Sequence, residues 1–221
     1  MTTGLQRLEC RAVLFDLDGV LVDSRRCIEL VWQAWAAKRG LDPWPFLAVA
    51  HGRRTSDSVR LVAPHLDAVA EARELDRLEE GETRGLAAAP GAEALLSRLR
   101  EGQWAVVTSG NRAVATLRLG TSGLPVPRVF VTADDVRKSK PDPEGYLLAA
   151  RRLDVAPAAC VVVEDSPTGL AAGKAAGMRV IGVLSTHGAD ALARADARVA
   201  RLADLGLEAG PAGGLALAWP A

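Results

Sequence analysis

The chain is 221 residues long, 49% hydrophobic and 24% charged, with 27 basic residues against 27 acidic ones. That balance fits one domain with a sizeable insert, or two small domains, and excludes a disordered chain. It also excludes a net field that would draw the protein to nucleic acid or acidic membranes, so a bound anion must be attracted by a local arrangement.

Taken in chain order, the first element is the apolar run Ala12 to Phe15, too short for a signal or a membrane span. A helical segment from Ser24 to Arg39 follows and ends at Gly40, with Val31, Ala34 and Trp35 spaced for one face. Further helical patterns cover Ser56 to Val62 and Ala68 to Arg84. Pro90-Gly91 leads into a helix from Ala92 to Arg100, closed by Gly102. Strand-length, valine-rich runs then recur at Trp104 to Val107, Val129 to Val131, Cys160 to Val163 and Val180 to Val183. Between them, Asp142-Pro143 opens a helix ending at Leu153. Ser166-Pro167 supplies an N-cap with proline at the first helical position, and Gly177 fits the stop.

Continuous apolar strands imply burial on both faces, and their alternation with helices predicts an α/β fold, a doubly wound, Rossmann-like parallel sheet. The interval before Trp104 breaks that rhythm: roughly ninety residues without a convincing strand exceed any ordinary crossover. The expectation is an all-helical cap inserted after the first strand. Residues 22–85 would form it, and residues 1–21 and 86–221 the core. Trp32, Trp35, Trp44 and Phe46 are read as cap core or cap–sheet contacts. The Gly/Ala/Pro-rich tail from Gly206 is either loose or docked through Leu215 to Trp219.

Three chemical signals follow three of the strands. Asp16 and Asp18, with Gly19 turning the chain away, fall where doubly wound sheets bind ligands, at the carboxyl ends of strands. Thr108-Ser109-Gly110 offers a hydroxyl and successive N–H groups as an anion cradle. Glu164-Asp165 adds two more carboxylates. At ~4 Å and an effective dielectric of ~20, each like-charge pair costs about 4 kcal/mol. A hard divalent cation relieves this, and an all-oxygen site beside a phosphate favours Mg²⁺. Lys140, next to Pro141, is the expected counter-charge, with Lys138 a competitor that spacing alone leaves open.

These four elements, in this order, resemble the haloacid-dehalogenase-like superfamily of phosphatases and phosphotransferases. Asp16 to Gly19 match its Asp-x-Asp-Gly motif, Thr108 its Thr/Ser motif, Lys140 its lysine, and Glu164-Asp165 its acidic motif. The insert is similar to the cap of the β-phosphoglucomutase subgroup. His51-Gly52-Arg53-Arg54-Thr55 resembles glycerol-3-phosphate and 2-deoxyglucose-6-phosphate phosphatases, with Ser139 departing from the glycine usual before the lysine.

The resemblance implies Asp16 as nucleophile, Asp18 as general acid and base, and an aspartyl-phosphate intermediate. Mg²⁺ would be held by Asp16, the Asp18 main-chain carbonyl and Asp165, with Glu164 beside or behind. Thr108, Ser109, Gly110 and Lys140 would hold the phosphate, and the cap residues His51, Gly52, Arg53 and Arg54 would read the leaving group.

An EF-hand does not explain the first motif, because Val20 takes the third acidic place and Gly19 comes too early. Gly169, Gly173 and Gly177 lack a nucleotide fingerprint and fit close helix–sheet packing. Asp134 and Asp135 read as loop acids. The rival activities are a sugar phosphomutase, which shares the site, and, from another class, a non-catalytic binding or regulatory member of the fold. A dehalogenase is disfavoured by Asp18, and Schiff-base phosphonate cleavage by the exposed position of Lys38. Cys10, Cys27 and Cys160 have no metal-type spacing and suit a reducing compartment. The expected protein is cytoplasmic and monomeric, and its partner is a small phosphorylated metabolite, not nucleic acid or membrane.

Overall fold

A computed structural model describes residues 5–220; residues 1–4 and 221, the ends of the expected core, lie outside it. Strands β1 (Leu5–Cys10), β2 (Ala12–Phe15) and β3 (Val22–Asp23) precede four helices, α1 (Arg25–Arg39), α2 (Trp44–Ala50), α3 (Thr55–Val62) and α4 (Ala68–Glu80). The chain then runs through β4 (Ala87–Ala88), α5 (Ala92–Leu96), β5 (Trp104–Val107), α6 (Arg112–Thr121), β6 (Val129–Val131) and α7 (Glu144–Leu153). It continues with β7 (Cys160–Glu164), α8 (Pro167–Ala175), β8 (Arg179–Val183) and β9 (Ala197–Val199), and ends with β10 (Gly206–Ala209) and β11 (Leu215–Pro220).

Six strands form one parallel sheet in the order β6-β5-β2-β7-β8-β9. The chain builds outward from β2 in one direction through β5 and β6, then returns to its other side for β7, β8 and β9. The switch point therefore lies at β2, where such sheets open a crevice. Alternate residues face opposite sides. Val13 and Phe15 pack toward α5 and α6, whereas Ala12 and Leu14 pack toward α7 and α8. Both faces are covered, which is why these strands read as unbroken apolar runs.

The helical cap is present as expected, with its own core of Ile28, Trp32, Trp35, Phe46, Val59 and Leu75. Phe46 stacks on Trp32 at 5.4 Å and meets the edge of Trp35 at 5.0 Å. Two side chains depart from the sequence reading. Ala34 faces outward, the buried stripe of α1 being Ile28, Val31, Trp32 and Trp35. Trp44 is 64% exposed, because it starts α2 and Phe46 takes the inward position. The cap follows the second strand, since β1 went unrecognised. Its two connections to the sheet, β3 and β4, pair with each other.

The tail docks. β11 lies antiparallel between β1 and β10 in a separate three-stranded sheet. Leu207, Leu215, Leu217 and Trp219 join the core on the α5–α6 side, which the tail helps to cover.

Candidate active site

The register of the parallel sheet aligns the ends of three strands. Phe15 pairs with both Val106 and Val163, so Asp16, Thr108 and Glu164 leave the sheet at one edge. Asp16 donates its N–H to Val163 O at 3.0 Å and Thr108 donates to Val131 O at 3.0 Å, extending the ladder one residue past each strand. Gly19, at φ +81°, then turns the chain back. A Cβ there would sit 2.0 Å from Asp165 Oδ2, so only glycine permits the approach.

Lys140 is the buried lysine at the centre. Its three ammonium hydrogens have three acceptors: Asp16 Oδ1 at 2.5 Å, Glu164 Oε1 at 2.6 Å and Val107 O at 3.1 Å. Burial works against its charge, but the Asp16 and Glu164 carboxylates overcome it and hold the ammonium well above the usual lysine range. Lys138 instead extends into solvent toward Asp142, 3.5 Å away. Geometry thus separates two lysines that spacing left equivalent.

Glu164 is fully committed. Oε1 accepts from Lys140 and from Tyr146 Oη at 2.9 Å, while Oε2 accepts from the N–H groups of Asp165 and Ser166 and from Ser166 Oγ, each at 3.0 Å. Burial opposes its charge, yet Lys140 and these donors keep its pKa below the usual range. Gly169 makes room for it, since a Cβ there would meet Glu164 Oε1 at 1.6 Å.

Asp165 is bonded differently. Thr186 Oγ1 donates to its Oδ2, and its Oδ1 is buried without a partner. Burial and the neighbouring Glu164 and Asp16 charges push its pKa well above the carboxylate range. Asp16 is likewise pushed up by burial, to about 8, against the pull of Lys140. Ligand oxygens of Asp16, Glu164 and Asp165 lie within 4.8 Å of one another. Three carboxylates against one ammonium leave two negative charges, which a divalent cation matches. The hard oxygen donors and the orphaned Asp165 Oδ1 fit Mg²⁺. Asp16 and Asp165 are the free donors, and Glu164 stands behind them.

Asp18 faces the same cavity from the next turn. Its Oδ2 accepts from Arg118 Nη1 at 2.6 Å, and its Oδ1 is buried without a partner. Arg118, on α6, also lies 3.2 Å from Glu79 Oε2 on cap helix α4. On the phosphate side, Gly110 N–H donates to Thr108 Oγ1 at 3.1 Å, and Asn111 caps α6 by accepting from Val114 N–H at 2.9 Å.

The cap residues separate in the structure. Gly52 seats the cap on the core: its carbonyl accepts from Ser109 Oγ and from Thr168 Oγ1, both at 3.1 Å. Arg54 donates to the carbonyls of Ala133, Val136 and Arg137, at 2.7, 2.5 and 3.2 Å, and so anchors the cap to the loop before Lys140. His51, Gly52 and Arg53 line the pocket over Asp16, Asp18, Thr108, Ser109 and Gly110, together with Trp32. Burial lowers the His51 pKa. Asp134 and Asp135 are loop acids as read: Asp135 caps Thr132 and pairs with Arg112 and Arg152.

Sequence reading missed Arg118, Glu79, Tyr146 and Thr186. Thr186 lies in the loop just past β8, so its nearness to a strand end could have found it. The other three are helical residues without a motif.

The chain is similar to several known proteins. It is 47% identical to hexitol phosphatase A of Escherichia coli (strain K12) over 181 residues, 80% of this chain and 84% of that protein. It is 35% identical to glycerol-1-phosphate phosphohydrolase 2 of Saccharomyces cerevisiae, over 87% of this chain and 82% of the relative. A mutant CbbY from Rhodobacter sphaeroides, crystallised with xylulose-(1,5)bisphosphate, superposes with a TM-score of 0.78 at 26% identity, covering 89% and 96% of the two chains. The haloacid dehalogenase-like hydrolase family model matches residues 10–177. The chain belongs to the haloacid dehalogenase-like hydrolase family.

Proposed function

We propose that this protein is a Mg²⁺-dependent phosphatase of small sugar or polyol phosphates that works through an aspartyl-phosphate on Asp16. The observation that carries the reading is the division of labour among the buried acids. Glu164 is saturated and Asp16 is oriented through one oxygen by Lys140. Asp18 keeps one oxygen free in the same pocket. The named activities of the hexitol and glycerol-1-phosphate relatives support the substrate class.

Asp16 attacks phosphorus in line while Asp18 protonates the departing alcohol oxygen. Asp18 then takes a proton from the water that cleaves the phosphoryl-aspartate. Thr108 and the Ser109 N–H would hold the phosphoryl oxygens, Gly110 N–H orients the Thr108 hydroxyl, and Lys140, its three hydrogens already placed, adds positive charge beside them. Asp16, Asp165 and the Asp18 carbonyl would hold Mg²⁺, which would supply charge neutralisation at the phosphoryl oxygens. The pocket is about 40 Å³, room for only a few waters. A phosphate ester therefore enters when the cap lifts and reacts when it closes. His51, Gly52 and Arg53 would meet the leaving group, and Arg54 would hold the closed cap. The division proposed is a cap of residues 22–85 on a core of 1–21 and 86–221, moving about the β3–β4 crossing. The three cysteines are free and buried, which suits a reducing compartment such as the cytoplasm.

A panel of phosphate esters with Mg²⁺, with and without EDTA, tests the reading, with Asp16→Asn as control. Release of phosphate from sugar or polyol phosphates that requires both Mg²⁺ and Asp16 is the expected result. No turnover of any ester overturns it, and transfer to a second hydroxyl of a sugar bisphosphate identifies a mutase instead.

A further inference from the structure

Asp18, the proposed acid and base, is bonded to a buried arginine that has no part in that chemistry. Arg118 is 4% exposed, and its partners come from different parts of the molecule. Asp18 follows β2 of the sheet, while Glu79, 8% exposed, belongs to cap helix α4. All three line the pocket above Asp16. The two ends of the guanidinium are not held equally. Nη1 makes a direct 2.6 Å hydrogen bond to Asp18 Oδ2, whereas Nη2 is within ion-pair distance of Glu79 but has no aligned hydrogen-bond acceptor. Asp18 itself is left with one oxygen clamped and one free in the pocket.

We propose that Arg118 is a positioning residue for Asp18, and that Glu79 holds it in place only when the cap is closed. A carboxylate that delivers a proton in one direction needs one oxygen fixed and the other presented, which is the arrangement Arg118 imposes. Removing one partner of a buried guanidinium leaves its charge less compensated and its geometry less fixed. When α4 moves away with the cap, Glu79 leaves, water reaches Arg118, and its hold on Asp18 loosens. Closing the cap brings Glu79 back and completes the proton-transfer geometry together with the exclusion of water. This rests on Asp18 being the acid and base of the proposed reaction.

The test separates a positioning role from helix packing by the leaving group. p-Nitrophenolate departs without a proton, whereas the alkoxide of glycerol 1-phosphate does not. The value of kcat/KM reports only steps through release of the alcohol. Asp18→Asn sets the full difference between the two esters, of order 10²–10⁴-fold if the acid is lost. Arg118→Lys, which can keep one ion pair but cannot bridge two carboxylates, is expected to lower kcat/KM for glycerol 1-phosphate about 30-fold and for p-nitrophenyl phosphate less than about threefold. Glu79→Gln, the variant that leaves Arg118 in place, should show the same leaving-group dependence in kcat/KM at about fivefold. Equal losses on both esters, or no loss on either in a folded Glu79→Gln protein, overturn the proposal while wild-type turnover leaves the phosphatase reading standing. Wild-type failure on both esters overturns that reading, and this one with it.

Discussion

Lys140 and Arg118 are both buried cations bonded to an aspartate of the first motif, but they are secured in opposite ways. Lys140 spends all three hydrogens on acceptors of the sheet domain, so nothing the cap does changes its surroundings. Arg118 divides its charge between Asp18 of the core and Glu79 of the cap, and one of its nitrogens lacks an aligned acceptor. The first arrangement is preorganised, the kind that stabilises developing charge without reorganising. The second, on the proposal above, is assembled by closure, so the Asp16 side of the site is fixed and the Asp18 side depends on the cap.

The largest expected effect lies on the rigid side. Asp16→Asn removes the proposed nucleophile and is expected to lower kcat by about 10⁴-fold or more, measured as phosphate release at saturating Mg²⁺. Lys140→Met strands Asp16 and Glu164 in a buried site. A urea unfolding curve should show a loss of about 3–5 kcal/mol, the cost of breaking a buried pair from one side. A Lys140→Met protein as stable as wild type would mean that the core cluster is not the fixed half of the comparison.

Metal adds a third test of the same half. At about a hundred times its dissociation constant Mg²⁺ should stabilise the protein by about 2.7 kcal/mol, and Asp165→Asn should abolish the thermal shift. Because the ion must displace protons from acids pushed upward, Asp16 to about 8, the Mg²⁺-induced shift should grow from pH 5 to pH 8. A shift that shrinks over that range would contradict the assignment of Asp16 and Asp165 as ligands.

On the mobile side the effects are smaller. Gly52 sits at φ +76°, and a Cβ would lie 2.1 Å from Ser166 Oγ, so Gly52→Ala should unseat the cap loop. The expected outcome is about a tenfold fall in kcat/KM with the melting temperature of the core preserved, a change worth about 1.4 kcal/mol.

The same contrast decides what could be read from the sequence. Asp16, Thr108 and Asp165 stand at strand ends, and an unbroken apolar run announces each strand, so local pattern locates them; Lys140 lies in the loop between β6 and α7 and is marked by its place beside Pro141 in the order of the motifs. Arg118 and Glu79 carry no such signal. Arg118 lies between two leucines in α6 and Glu79 in the last turn of α4, and they acquire meaning only when α4 packs on α6. Arg54 is a candidate substrate donor on sequence; in the structure its two Nη groups donate to three carbonyls and its Nε is buried without a partner. β1 escaped for a different reason. Its partner β11 is at the other end of the chain, and the half-exposed Leu5–Cys10 reads as a polar lead-in until Leu217 and Trp219 cover the face behind it.

The smallest effect concerns Glu79 and has a definite sign. Burial raises its pKa to about 7 from an ordinary glutamate value of 4.5, with Arg118 pulling the other way. An acid whose folded pKa is raised binds its proton more tightly in the native state. Its contribution to stability is full below about pH 4.5 and is lost as the pH rises through about 7. Wild-type stability should therefore fall between pH 5 and pH 7.5 by more than that of Glu79→Gln, which cannot titrate. Opening of the cap offers the ionised carboxylate a solvated alternative, which trims the difference to about 1 kcal/mol. Urea midpoints of the two proteins across that range measure it. Parallel curves would mean that Glu79 is already ionised throughout and that the Arg118 bridge is as fixed as the one around Lys140.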